Sequence, residues 1–454
     1  MVLWRHSRRL ASFKRLYSYH YRKENVWQSR LFMATIASLV AGSVSWYYFW
    51  PHHTFSAPVA KTLRKGLRAE SDKGDFDYNS ALESYRIGLR QAKEENIPEW
   101  SNEYTGIQLK IAQMMEYLHD YGSALLMYKQ INSAYLAFLK SDQAEDNTYP
   151  ELSKPYILLK NLRVSVKIAR VLELSNQTEN ALKVLKHAML LCSNYAIAKS
   201  AKEQGQDLKG VKLVIENNRV LVNGNKEIKV ERNRENWSPF TFEFFNASDY
   251  YVSLCTASGK LDEAIKERQR ILLLMVLAQV PGGDILLSQY NLGSLLYMKA
   301  EQLESLELKY RNDLPRQQEE LQRTMTTKND YLSAATECFE TVRELATSLD
   351  EKQKKGSTNA IRTSGINENN SIKSKVLWYQ VDQTTDDSIA LSTYALGVIK
   401  LHRGMYKEAE DLLKETLRRA SRTNYTELIQ ETKRELGKLD RERKHGPKLL
   451  SVSK

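Results

Sequence analysis

LSTYALGVIKLHRGMYKEAEDLLKETLRRA, residues 391 to 420, reads as two helices folded back on each other. Apolar residues recur at i, i+3, i+4 and i+7 on both sides of Gly404, which marks the turn. Gly397 precedes that turn, Ala409 follows Gly397 by twelve residues, and Leu413 comes one helical turn later. The spacing has a physical reason. A small residue on each of two antiparallel helices lets their backbones approach closely, and the large residue one turn on fills the space left between them.

This step, Leu396-Gly397 and then Ala409 with Leu413, resembles the L-G and A-x3-F signature of the tetratricopeptide repeat. It recurs along the chain. Ala112 precedes Ala124 by twelve residues, with Tyr128 following, and Ala169 stands in the same relation to Ala181 and Leu185. Ala69, Ala81 and Tyr85 form a looser copy. Val252 and Ala264 form another, after a Gly259 turn, with Arg268 where a large apolar residue is expected. A sixth copy reads as split, opened by Leu292-Gly293 and resumed about thirty residues late by Ala335 and Phe339. The expected fold is therefore all-α, a degenerate tetratricopeptide (helix-hairpin) array with insertions rather than an irregular bundle. It spans residues 65–435. Within it, VKLVIENNRVLVNGNKEIKV from Val211 alternates about Asn217-Asn218 and predicts a β-hairpin insertion over 201–235. Residues 351–375, rich in Lys, Ser, Asn and Gly, read as a flexible loop, and 436–454 as a charged tail.

The amino-terminal part has a different character. Leu31 to Trp50 carries no charge, long enough at 1.5 Å per residue to cross a hydrocarbon core of roughly 30 Å, and it ends in Trp46, Tyr47, Tyr48, Phe49 and Trp50 before Pro51. It predicts one N-terminal transmembrane helix over 31–50, joined by a linker, 51–64, to the array. Residues 1–30 hold Arg5, Arg8, Arg9, Lys14, Arg15, Arg22, Lys23 and Arg30 against Glu24 alone, the balance of a matrix-targeting leader. With the amino terminus in the matrix, the large domain faces the intermembrane space. Five glycosylation acceptor patterns, at Asn176, Asn236, Asn246, Asn369 and Asn424, give an independent check, because a domain in the secretory lumen would carry sugars there.

Most of the formal charge of +12 belongs to that leader, so the rest of the chain has no nucleic-acid footprint. Cys192, Cys255 and Cys338 are far apart and form no CxxC pair, which argues against a disulfide framework or a zinc knuckle. Gly205 and Gly210 have the first spacing of a phosphate loop, but Val211-Lys212 follows where a Lys-Ser or Lys-Thr pair is needed. No HExxH helix occurs, His52 and His53 are adjacent rather than four apart, and His119 and His402 sit at hairpin turns. The sequence thus predicts no catalytic, cofactor-binding or metal site, and places function in surfaces. Tyr104, Tyr117, Tyr251, Tyr290 and Tyr394 on the repeat helices are candidate peptide-binding residues, since tyrosine can touch apolar groups while its hydroxyl stays wet. The plainer reading makes them packing residues.

Glu70-Ser71-Asp72-Lys73 with Asp75-Phe76 and Ala81-Leu82, Ile285 to Gln289 with Asn291 to Leu295, and Ser388 to Tyr394 are similar to one known family. They resemble the tetratricopeptide adaptor subunit of the yeast mitochondrial i-AAA protease, or its close paralogue. The resemblance implies a single-pass inner-membrane protein in contact with inner-membrane lipid, its large domain in the intermembrane space. Together with a second adaptor subunit it would bind the i-AAA protease and present unfolded or misfolded protein substrates for degradation. It also implies no catalytic residues and no cofactor. The competing reading is a membrane-anchored tetratricopeptide scaffold or receptor in mitochondrial protein import or complex assembly.

Overall fold

The computed structural model describes residues 55–141, 152–206, 208, 213–216, 219–222, 226–312, 318–354 and 383–445. The leader and the apolar segment 31–50 lie outside them. Among the described residues no helix is long and apolar enough to cross a membrane. The chain divides into two compact units, 1–61 and 62–454. Of the first, only 55–61 are described, the start of the first helix.

Helices pair in chain order: α1 (Ala57–Ala69) and α2 (Tyr78–Glu94), α3 (Asn102–Tyr117) and α4 (Tyr121–Lys140), α5 (Lys154–Leu174) and α6 (Thr178–Glu203), α7 (Thr241–Ala257) and α8 (Leu261–Leu277), α9 (Gly282–Asn312) and α10 (Gln318–Lys354), α11 (Gln383–His402) and α12 (Tyr406–Thr423). A single helix, α13 (Thr426–His445), follows. From α2 on each helix packs on the next, and first helices also meet one another, α5 on α7, α9 on α11 and α11 on α13; α1 meets α2 through Gly66 on Tyr85 and the Thr62 hydroxyl on Gln91. The all-helical array is the expected class.

Four hairpins share one turn. After α3, α5, α7 and α11 a single residue, His119, Asn176, Gly259 or Gly404, takes a left-handed conformation with φ of 59°, 56°, 73° and 74°. The amide three residues past each helix end then donates back to a carbonyl five residues earlier: Asp120 to Met115, Gln177 to Leu172, Lys260 to Cys255 and Met405 to Lys400, at 2.8 to 2.9 Å. In every case the turn residue lies seven positions after the first packing residue and five before the second, which is why the twelve-residue step is kept.

The packing residues Ala81, Tyr85, Ala112, Ala124, Tyr128, Ala169, Ala181, Leu185, Ala264, Ala335, Phe339, Ala409 and Leu413 are all buried. A Cβ added at Gly397 would stand 3.0 Å from Leu413, and one at Gly293 2.7 Å from Phe339, so both pairs close against each other. The split copy thus keeps its packing register while α9 and α10 run on beyond it.

The first copy needs correction. Ala69 is only half-buried, while Gly66, one helical turn earlier, is buried, and a Cβ there would lie 2.7 Å from the Tyr85 ring. The cause is a longer turn. A 3-10 turn at Asp72–Gly74 adds three residues between the helices, so the true partner of Ala81 is fifteen back rather than twelve.

Three boundaries also differ. Part of the expected linker is helix, from Ala57 onward. The expected tail is helical as far as His445, and Leu439 within it is buried with Leu401, Ala409 and Leu413, so α13 covers the end of the array that a polar tail would have left open. The insertion holds three strands rather than a single hairpin: β1 (Leu213–Glu216), β2 (Arg219–Val222) and β3 (Lys226–Ile228), all antiparallel, with Glu216 opposite Arg219 and Val220 opposite Ile228. Its first residues, 201–203, still belong to α6. Of the expected loop 351–375, residues 351–354 end α10 and the remainder lies outside the described residues.

Candidate functional site

The face built by α3, α5 and α7 contains a groove of about 630 Å³. Its floor is fixed by local capping. Ser101 Oγ accepts from the Tyr104 amide at 3.1 Å and starts α3, and the Thr105 hydroxyl donates to the Ser101 carbonyl at 2.6 Å. Tyr135 of α4 then donates to Thr105 Oγ1 at 3.1 Å, which joins the two helices beneath the groove. Burial pushes the Tyr135 phenol above its ordinary pKa, so it stays a neutral donor.

Thr105, Tyr135, Val164 and Ala247 are buried, and Leu109 and Val166 are half-exposed beside them. Gly106 has no atom within 4 Å of where its Cβ would be. A glycine inside a helix costs about 1 kcal/mol relative to alanine. At Gly106 that leaves helix backbone open to whatever occupies the groove.

The rim is charged and mostly basic. Lys160, Arg163 and Lys167 follow one another along α5 at i, i+3 and i+7. Arg163 reaches across to Glu243 of α7, its Nε donating to Oε1 at 2.9 Å while its other nitrogen closes an ion pair. Such an exposed pair contributes little stability, but it can open without leaving a buried charge behind. The arrangement can hold an apolar side chain and the extended backbone next to it. It brings together no nucleophile and base, and among the described residues no group of three or more His, Cys, Asp or Glu could hold a metal ion.

The tyrosines chosen from the sequence do not line this groove. Tyr104 and Tyr251 are buried, 5 % and 1 % exposed, and Tyr251 donates to Glu263 at 2.5 Å; neither ring can meet a ligand without leaving the core. Tyr290 packs on Phe339, ring centroids 5.5 Å apart, and Tyr394 packs against the Leu413 and Ala420 clusters. Tyr117, 49 % exposed, lies against Tyr78 at the end of α3, away from the groove residues. Sequence reasoning missed Lys160, Arg163 and Lys167, although cations at i, i+3 and i+7 along one side of a helix are a signal it could have used.

Residues 146–280 match the family model described as the MGR3 middle domain. The chain is 30 % identical over 431 residues to the mitochondrial inner membrane i-AAA protease supercomplex subunit MGR3 of Saccharomyces cerevisiae, covering 88 % of this chain and 81 % of that protein. The chain belongs to the MGR3 family. A second family relative, the protein MRG3-like of Saccharomyces cerevisiae, is 28 % identical over 445 residues, 92 % of this chain and 90 % of that protein. Among solved structures, a Podosopora anserina putative kinesin light chain with nearly identical TPR-like repeats is similar at 12 % identity and a TM-score of 0.30, covering 62 % of this chain and 97 % of that one. In this MGR3-family chain the middle-domain match takes in α5 to α8, and hence the basic wall of the groove and its Glu243 partner.

Proposed function

We infer that this chain is a non-catalytic adaptor of the mitochondrial i-AAA protease, anchored in the inner membrane by residues 31–50, with its large domain in the intermembrane space. Working beside a second adaptor subunit, it holds unfolded or misfolded segments in the α3–α5–α7 groove and presents them to the protease. The observation that carries this reading is the groove itself, an apolar floor under open Gly106 backbone in a chain whose relative is named a supercomplex subunit of that protease. Anchoring groove and protease in one membrane raises their effective concentration to about the millimolar scale, so weak and tolerant contacts suffice.

A photo-crosslinking residue placed at Gly106 in the full chain, expressed in mitochondria, tests it. Unfolded polypeptides should be captured there and not from Leu126, which is 64 % exposed on α4. With the crosslinking residue moved to Leu109, which also lines the groove, Gly106→Trp should abolish capture while the protease still co-purifies. Capture from both positions alike removes the groove from the account. Loss of the protease from the purified complex supports the scaffold or import-receptor reading instead.

A further inference from the structure

Helix α1, APVAKTLRKGLRA, holds four cations and no acid. Lys61, Arg64, Lys65 and Arg68 are all exposed, and at 100° per residue they fall within an arc of roughly 100°. Among the described residues none of the four forms an ion pair or a side-chain hydrogen bond. The opposite side of the helix is the packed one: Gly66 closes on Tyr85, and Leu63 lies where a Cβ on Gly88 would meet it at 2.9 Å. The cationic face therefore points away from the array. Leu67, 47 % exposed, flanks it.

Four uncompensated charges on one helix face repel one another and contribute nothing to the fold. Elsewhere in the array cations find partners, the exposed Lys186 with Glu263 and the half-buried Lys110 and Lys299 with Glu70 and Asp262. The position of α1 in the chain says what can neutralise it. Only residues 51–56 separate it from the apolar segment 31–50, a reach of at most about 25 Å when fully extended. With that segment in the bilayer, headgroups stand permanently beside the helix, whereas an acidic protein would have to be recruited.

We propose that Arg64, Lys65 and Arg68 of α1, preceded on the same helix by Lys61, form a docking face for anionic lipid headgroups, with Leu67 entering the interface. This rests on residues 31–50 being the membrane anchor. Each cation near such a surface is worth about a fivefold change in occupancy, and the contact weakens with salt.

The test uses the full chain reconstituted in phosphatidylcholine vesicles with or without phosphatidylglycerol, treated with a membrane-impermeant amine acylating reagent and read by mass spectrometry. Lys65 should react at least about fivefold more slowly when phosphatidylglycerol is present. High salt should restore its rate. Arg64→Gln with Arg68→Gln should remove most of the protection while leaving Lys407, exposed on α12, unchanged throughout. Equal Lys65 rates in both vesicles overturn the proposal, as does protection that appears only when an acidic protein partner is added. Alkaline extraction separately reports the anchor. A chain released by alkali but still protected at Lys65 by phosphatidylglycerol keeps the docking face and loses the anchor, and one retained but unprotected does the reverse.

Discussion

Gly293→Ala is predicted to destabilise the array, although the same substitution at another helical glycine should stabilise it. In the open interior of a helix, replacing glycine by alanine gains about 0.5–1 kcal/mol, because the unfolded chain has less freedom to lose. At Gly106, where nothing lies within 4 Å of the added carbon, that gain should appear in full. At Gly293 the carbon would stand 2.7, 2.9 and 3.0 Å from three atoms of the Phe339 ring. That ring is 1 % exposed and lies against Tyr290, so it has no free direction to move. Overpacking of this kind costs typically 1–3 kcal/mol, which exceeds the propensity gain and leaves a net loss of about 1–2 kcal/mol.

An array need not unfold in one step, so the readout should be local. Hydrogen exchange of α9 and α10 peptides in the full chain should accelerate about fivefold to thirtyfold in Gly293→Ala and leave α3 and α4 unchanged. Adding Phe339→Leu should restore most of the protection, because the smaller side chain makes room for the methyl. Gly66→Ala should weaken α1 and α2 by the same mechanism, since its added carbon meets the buried Tyr85 ring at 2.7 Å. If Gly293→Ala protects α9 as Gly106→Ala protects α3, or if Phe339→Leu makes the loss worse, close approach at the small residues is not what sets the repeat.

Glu307 gives a pH test at the extended part of the α9–α10 hairpin. Burial raises its pKa, but the 2.5 Å hydrogen bond from Lys328 and the charges of Lys328 and Arg311 outweigh that and hold the carboxyl below its ordinary value of 4.5. Its folded value is depressed, so the stabilisation is present above the ordinary value and lost as pH falls through the lowered one. Exchange of this segment should rise below about pH 4.5, and Glu307→Gln should remove that dependence while weakening the segment at neutral pH. The thiols give a second check. Burial, with Glu263 nearby, pushes Cys255 up to about 11, and burial, with Glu337 nearby, pushes Cys338 up to about 12. Both should react with thiol reagents at least about a hundredfold more slowly than free cysteine in the folded chain, and normally in denaturant. Rapid labelling of the folded protein would refute their burial.

The step between packing residues was readable because it depends on side-chain size, which the sequence states directly. The turn was half readable. Gly259 and Gly404 announce a left-handed residue, but His119 and Asn176 adopt the same conformation with a side chain attached, held there by the helix-end hydrogen bonds. Ala69 was mistaken for Gly66 because three extra turn residues, Asp72–Gly74, change the count without changing the packing. The tail was misread for a related reason. In TELIQETKRELGKLDRERKH charges surround the buried stripe of Leu428, Thr432, Glu435 and Leu439, two of whose members are polar. The groove was the least legible part. Tyr104 and Tyr251 have the chemistry of ligand-binding residues, and only the rotation of their helices, set by neighbours many residues away, puts them inside.

Arg268 shows how the array carries a polar residue at a packing position. It stands sixteen residues after Val252, where Leu185 stands after Ala169 and Leu413 after Gly397, and its side chain is 7 % exposed. A guanidinium there needs partners, and it donates to Asp249 at 2.5 Å and to Ser288 Oγ at 3.4 Å, linking α8 to α7 and α9. One residue earlier, Glu267 pairs with Arg270, and Arg270 donates to Ser193 of α6 at 2.9 Å. Pairs buried on both sides, as Glu267–Arg270 is, add little net stability over apolar residues of the same volume, because each charge must first lose its water. They do penalise misalignment heavily, since a helix shifted by one turn leaves a charge in the core without a partner. At the Arg268 position of α8 polar groups therefore take over the role that the large side chain plays elsewhere, fixing register between successive helices, while Ala264 keeps the small position. The same α6–α9 region includes α7, whose Glu243 and Ala247 line the groove, so errors of register there would reach the groove directly.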